Sequence, residues 1–173
     1  MDLKTAIRNI PGFPKEGIVF RDITTLLKNP DAFRQTLDKM QAFCDGKKID
    51  RILGIESRGF IFGGALADRL HVGFVPVRKK GKLPSETVSY DYELEYGTDT
   101  IEIHADALKK GDSVLIVDDL LATGGTMQAA CRLVEKVGAV VAGIAVLVDL
   151  AYLPWRDKIE VEDILTLVSY DSE

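Results

Sequence analysis

The segment Asp118-Asp119-Leu120-Leu121-Ala122-Thr123-Gly124-Gly125-Thr126 places two carboxylates immediately before a loop of small residues. Behind it stands the unbroken apolar run Val114-Leu115-Ile116-Val117, and beyond it apolar residues recur at helical spacing. A strand, a small-residue turn and a helix in that order make an anion site. Successive backbone N–H groups converge there, and the aligned peptide dipoles favour negative charge at the helix N-terminus. Ala122 to Thr126 are therefore expected to cradle a phosphate: Gly124 and Gly125 let the backbone come close, and the Thr123 and Thr126 hydroxyls donate to phosphate oxygens. Asp118 and Asp119 would repel a phosphate beside them, so they need sugar hydroxyls or a divalent cation as partners. Read without that context, the same residues are a Gly-rich turn with Thr126 as a helix cap and two solvated aspartates. Other signatures fail on spacing. No G-x-x-x-x-G-K-[ST] occurs, because Gly46-Lys47 is followed by Lys48 and Gly81-Lys82 by Leu83. There is no G-x-G-x-x-G, and Ser57 lacks the glycine two residues earlier that a hydrolase elbow needs.

A scaffold must hold these groups, and the sequence predicts one by alternation. Asp2 to Ile10 reads as a short helix stopped by Pro11-Gly12-Phe13-Pro14. Asn29 caps a helix opened by Pro30 and running to about Phe43, with Phe33, Leu37 and Met40 on one face. Strand Arg51–Ile55, helix Phe60–Leu70 and strand Gly73–Val77 follow, then extended pieces at Thr87–Glu93 and Thr100–His104. The chain ends with strand Ser113–Val117, helix Thr126–Val137, strand Val140–Val148 and a last strand around Ile164–Val168. Met127, Ala130, Cys131, Val134 and Val137 share one face of their helix, which makes Cys131 a small buried apolar residue. Strands that are apolar throughout imply a sheet covered on both faces, so the expected class is α/β with parallel βαβ units. Ligands in such folds bind at the carboxyl ends of the strands, where Glu56–Gly59, Arg78–Glu86 and Asp118–Gly125 leave the sheet.

Composition bounds the function. The chain has 173 residues, 46% hydrophobic and 28% charged, which excludes disorder. Twenty-two Lys and Arg against 27 Asp and Glu leave a net charge of −5, which argues against a nucleic-acid partner. Cys44 and Cys131 cannot build a thiolate zinc site or a disulfide framework, and His71 and His104 cannot build a His-rich metal site. The opening Met1-Asp2-Leu3-Lys4 is no signal peptide, and the apolar run Ala139–Val148 is far shorter than a membrane helix of roughly twenty residues. A reduced, cytoplasmic, soluble protein with no membrane partner is expected.

The acidic pair followed by Thr-Gly-Gly-Thr resembles the phosphoribosyl pyrophosphate motif of the type I phosphoribosyltransferases. The resemblance extends over nearly the whole chain through Gly17-Ile18-Val19-Phe20-Arg21-Asp22-Ile23-Thr24, Glu56-Ser57-Arg58-Gly59-Phe60, Arg78-Lys79-Lys80-Gly81-Lys82-Leu83-Pro84 and Leu94-Glu95-Tyr96-Gly97, in the family's order. A small departure is Thr25, where relatives often carry proline. The resemblance implies a twisted, mainly parallel sheet with helices on both faces and a small N-terminal hood. It also implies a single domain over residues 1–173, of which 1–30 include the base-binding segment. Within the family it points to the branch that uses adenine: adenine and phosphoribosyl pyrophosphate give AMP and pyrophosphate through an oxocarbenium-like transition state. The implied cofactor is Mg2+, bound mainly through phosphoribosyl pyrophosphate with no all-protein site, and the implied assembly is a homodimer with Glu56-Ser57-Arg58 near its interface.

By the same resemblance Ala122, Thr123, Gly124, Gly125 and Thr126 hold the 5-phosphate, and Asp118 and Asp119 the ribose hydroxyls. Pyrophosphate falls to Glu56, Ser57 and Arg58, whose guanidinium fork suits phosphate oxygens, and to Arg78, Lys79 and Lys82 on a mobile flap. Considered alone, that cation run reads as a solvated loop. Adenine is placed at Val19, Phe20, Arg21 and Leu120, with Phe20 stacking and backbone groups reading the base edge; Arg21 equally suits a structural ion pair. Ala122 stands where hypoxanthine and guanine enzymes carry an acid, so the proton-handling group is Glu95, although a solvated glutamate is the plain alternative. Three rivals remain at this stage: a different base, a regulator that binds without turnover, and a sugar-phosphate binding module.

Overall fold

The computed structural model describes residues 1–173. In chain order it contains β1 (Arg8–Pro11), β2 (Val19–Asp22), α1 (Thr24–Leu27), α2 (Pro30–Phe43), β3 (Arg51–Ile55), α3 (Gly59–Leu70), β4 (Gly73–Lys79), β5 (Thr87–Glu93), β6 (Thr98–His104), β7 (Ser113–Leu121), α4 (Gly125–Lys136), β8 (Val140–Leu150) and β9 (Ile164–Tyr170). Single 3-10 turns lie at Leu3–Ala6 and Trp155–Lys158. The main sheet has seven strands in the order β5-β6-β4-β3-β7-β8-β9. Its core from β4 to β9 is parallel, and β6 and β5 extend one edge antiparallel.

The apolar run of β7 explains the layering. Val114 and Ile116 point into a core shared with α4 and the β5–β6 hairpin. Leu115 and Val117 point into the opposite core with α2 and α3. All four are fully buried, as expected for a strand covered on both faces. Met127, Ala130, Cys131 and Val134 form the buried stripe of α4, and burial pushes the Cys131 thiol up to about 12. Asn29 caps α2, its side-chain oxygen accepting from the Asp31 and Ala32 amides, with Pro30 in the first turn. Gly54 and Gly63 let the Phe74 ring lie between β3 and α3, where an added Cβ would sit 2.5 Å and 2.8 Å from it. No helix is long and apolar enough to cross a membrane.

Two features depart from the expectation. The N-terminal segment is not a helix over Asp2–Ile10: after one 3-10 turn it becomes β1, paired antiparallel with β2 through Asn9↔Arg21 and Ile10↔Phe20. Pairing with β2, which follows after the loop of residues 12–18, satisfies the backbone of that segment, a term absent from the periodicity of residues 2–10. Several strands also run past their apolar cores. β4 includes Arg78 and Lys79, which pair with Glu102 and Ile101 of β6, and β7 continues through Asp118 and Asp119 to Leu121. The cations expected on a flap thus begin on a strand, and only the following turn lies outside the sheet.

Candidate active site

From β3 the chain passes through α3 to β4 on one side, whereas β7 passes through α4 to β8 on the other. The two crossovers diverge at the carboxyl ends of β3 and β7, and such a switch point opens a crevice. A cleft of about 350 Å³ lies there, lined by Glu56, Ser57 and Arg58 after β3, Arg78 and Lys79 ending β4, and Asp118 to Thr126. The parallel register with β8 carries Asp118 to the cleft opposite Val146. Two glycines hold the walls together. An added Cβ on Gly59 would meet the Val117 carbonyl oxygen at 2.9 Å and Asp118 Oδ1 at 3.0 Å, so α3 can start this close to β7 only without a side chain. Gly124 has φ +85° and its added Cβ would lie 3.0 Å from Trp155 Cβ and 3.1 Å from the Trp155 carbonyl oxygen, so the buried Trp155 residue backs the loop that leads into α4. The peptide bonds Phe13–Pro14 and Glu56–Ser57 are cis.

The cleft's charges are paired with one another. Arg58 Nε donates to Asp119 Oδ2 at 2.5 Å. Burial works against the Arg58 charge, but that bond and the charges of Asp119 and Asp118 outweigh it and hold its pKa above the ordinary value. Asp118 accepts the Asp119 amide at 2.8 Å, while burial and then the Asp119 carboxylate push its own pKa well above the usual carboxylate range. Glu56 accepts the Lys79 amide at 2.9 Å and Lys82 Nζ at 2.5 Å, with Arg78 Nε 3.4 Å away. Burial would raise its pKa, yet these donors win and lower it. Lys79 pairs with Asp99 and donates to Tyr92 Oη at 2.8 Å, contacts that overcome its burial and raise its pKa. Each cation of the cleft thus leans on a carboxylate: Arg58 on Asp119, Arg78 and Lys82 on Glu56, and Lys79 on Asp99.

The remaining expected residues fall in three places. Leu120 lines the cleft. Val19, Phe20 and Arg21 form β2 at its rim, where the Phe20 ring lies 5.8 Å from the Arg58 guanidinium carbon and makes an edge contact with Phe13 at 5.2 Å. The Arg21 side chain turns away, donating to Asn9 and the Ser172 carbonyl and lying 3.8 Å over the Tyr170 ring. Arg8 donates to Asp22, whose other oxygen accepts the Thr24 amide and hydroxyl, and these bonds draw Asp22 down to about 2. Thr25 donates its hydroxyl to the Ala6 carbonyl at 2.6 Å, a tie that proline there could not make. Glu95 stands exposed on the β5–β6 turn, outside the first cleft. It lines a second cavity of about 830 Å³ together with Thr123, Gly125 and Thr126. Sequence reading missed Asp99, Tyr92 and Trp155, because each meets its partner only across the fold.

The chain matches the phosphoribosyl transferase domain family over residues 23–164. It is 55% identical over 170 residues to an adenine phosphoribosyltransferase of Brachyspira hyodysenteriae, covering 98% of this chain and 100% of that one. The crystal structure of the adenine phosphoribosyltransferase from Thermoanaerobacter pseudethanolicus superposes with TM-score 0.93 at 53% identity, covering 97% of this chain and 98% of that one. The Saccharomyces cerevisiae adenine phosphoribosyltransferase, complexed with an iminoaltritol bisphosphate and adenine, gives TM-score 0.91 at 44% identity, covering 95% and 96% of the two chains. A switch-point cleft with a carboxylate pair and clustered cations, on a fold and sequence shared over nearly the whole chain, therefore has one reading: the chain belongs to the adenine phosphoribosyltransferases of the type I family, pentosyltransferases of purine salvage that convert adenine and phosphoribosyl pyrophosphate to AMP.

Proposed function

We propose that the cleft works by exchanging internal ion pairs for substrate. The Ala122–Thr126 amides and hydroxyls take the 5-phosphate at the start of α4, and Asp118 and Asp119 take the ribose hydroxyls. Asp119 then releases Arg58, which turns to the pyrophosphate beside Glu56 and Ser57. Arg78, Lys79 and Lys82 join it as pyrophosphate oxygens replace their carboxylate partners. Adenine lies at the rim against Phe20 and Leu120, read by backbone groups of Val19 and Arg21. The proposed transition state is oxocarbenium-like, and the two aspartates stabilise its positive charge while Glu95, carried inward by the hairpin, handles the base proton. Closure of the hairpin and of the turn after Lys79 excludes water, the competing nucleophile.

The observation that carries this reading is the convergence of the carboxylate pair, the α4 N-terminus and Arg58 in one cleft. The donor set fits Mg2+ held mainly through substrate: Asp118 and Asp119 offer hard oxygens beside the place assigned to the ribose hydroxyls. When bound, the ion would neutralise charge on the leaving pyrophosphate. One catalytic unit over residues 1–173, paired as a homodimer in the cytoplasm, completes the proposal; light scattering should return twice the chain mass. The test is Arg58→Ala assayed separately with adenine, hypoxanthine, guanine and orotate. AMP should form from adenine alone in the unaltered protein, and the variant should lose about a hundredfold or more in kcat/KM with its melting temperature kept. Near-normal turnover would remove Arg58 from the pyrophosphate role.

A further inference from the structure

Tyr92 touches both anion-binding sides of the cleft without being among the residues assigned to substrate. It lies on β5, directly across from Asp99 of β6, with its ring buried in the core between the hairpin and α4. Its Oη accepts from Lys79 Nζ at 2.8 Å and is placed to donate its one proton either to Asp99 Oδ2 at 3.3 Å or to Thr126 Oγ1 at 3.2 Å. An ammonium only donates, so the Tyr92 oxygen is the acceptor there and keeps one proton to give. Asp99 already receives Lys79, and its second oxygen takes the Thr100 amide at 2.8 Å. Asp99 Oδ2, already taken by Lys79, and Thr126 Oγ1 compete for that proton; given to Thr126, it leaves the threonine hydroxyl free to point its own proton at a phosphate. The backbone supports this path. Gly125 at the start of α4 faces the Tyr92 ring, and Lys136 Nζ at the far end of α4 donates to the Ser89 carbonyl at 2.9 Å. β5 is thus tethered to both ends of α4.

We propose that Tyr92 is a positioning residue of the phosphate loop: the chain Lys79 to Tyr92 to Thr126 holds the Thr126 hydroxyl in its donating orientation and ties the Glu95 hairpin to the 5-phosphate. This rests on the reading of Ala122–Thr126 as the phosphate cradle. Because the hairpin bearing Glu95 hangs from the same hydroxyl, occupancy of the cradle also sets the hairpin's place over the cleft. The test uses Tyr92→Phe, which keeps the buried ring and removes only Oη, beside Thr126→Val. Binding of ribose 5-phosphate and of pyrophosphate is measured separately by calorimetry, with KM for each substrate.

In Tyr92→Phe, ribose 5-phosphate affinity should fall about tenfold and KM for phosphoribosyl pyrophosphate rise alongside, the scale of one hydrogen bond to an anion site. Pyrophosphate affinity and KM for adenine should stay within about twofold, and adding the change to Thr126→Val should cost nothing further. Unchanged ribose 5-phosphate binding in Tyr92→Phe, with a loss in Thr126→Val, overturns the relay and leaves the cradle standing. Unchanged binding in both variants overturns relay and cradle together. Equal losses for both ligands would make Tyr92 a general packing residue and overturn its positioning role.

Discussion

On the proposed mechanism, Asp118 carries the clearest conflict between stability and use. Burial and the neighbouring Asp119 raise its pKa well above 3.8, so the folded chain binds this proton more tightly than the unfolded one. The ligand-free protein therefore loses stability as pH rises from the ordinary carboxylate range through the raised value, and regains it as pH falls. Asp118→Asn keeps the oxygen that accepts the Asp119 amide and removes the charge. Its melting temperature at pH 8 is expected to rise by about 2–5 °C, while kcat/KM for phosphoribosyl pyrophosphate falls about a hundredfold. A lower melting temperature with unchanged turnover would show that the pair is neither strained nor used.

The turn between β7 and α4 depends on a backbone state that side chains avoid. At Gly124, φ is +85° and Trp155 stands 3.0 Å from where a Cβ would be, so Gly124→Ala meets a conformational and a steric cost together. About 2–4 kcal/mol of unfolding free energy should be lost. KM for phosphoribosyl pyrophosphate should rise about tenfold because the cradle amides shift. Gly111 supplies the control. Its φ is +87° with nothing within 4 Å, in the turn before β7 and away from the cleft. Gly111→Ala should cost only about 1–2 kcal/mol and leave kcat/KM unchanged. Denaturant unfolding and steady-state kinetics on both variants separate strain from function.

Across the whole molecule, a net charge of −5 coexists with Arg58, Arg78, Lys79 and Lys82 gathered at one cleft. Their carboxylate partners nearly balance them, so the field they exert is local and screened by salt. Raising sodium chloride from about 0.05 to 0.5 M should lower kcat/KM for phosphoribosyl pyrophosphate about three- to tenfold. Adenine carries no charge, so its KM should change less than about twofold. A salt-independent kcat/KM would mean that these cations do not steer the substrate.

What the sequence by itself determined was whatever depends on neighbours along the chain. The apolar run Val114–Val117, the cap at Asn29 with Pro30, and the Met127–Val134 stripe each state their own burial, and the structure agrees with all three. The Asp118–Thr126 order likewise foretold the passage from β7 through a small-residue turn into α4, because a strand end, such a turn and a helix start are local events. Tertiary structure alone decided the rest. β1 is a strand only because β2 lies beside it, and Arg78 and Lys79 are held on a strand because β6 pairs with them. Trp155 backs Gly124, Asp99 takes Lys79, and Tyr92 reaches Thr126 across 34 residues. Except for β1 and β2, which meet across a short loop, those partners are distant in sequence, and hydrogen bonds and packing between distant residues leave no periodicity to read.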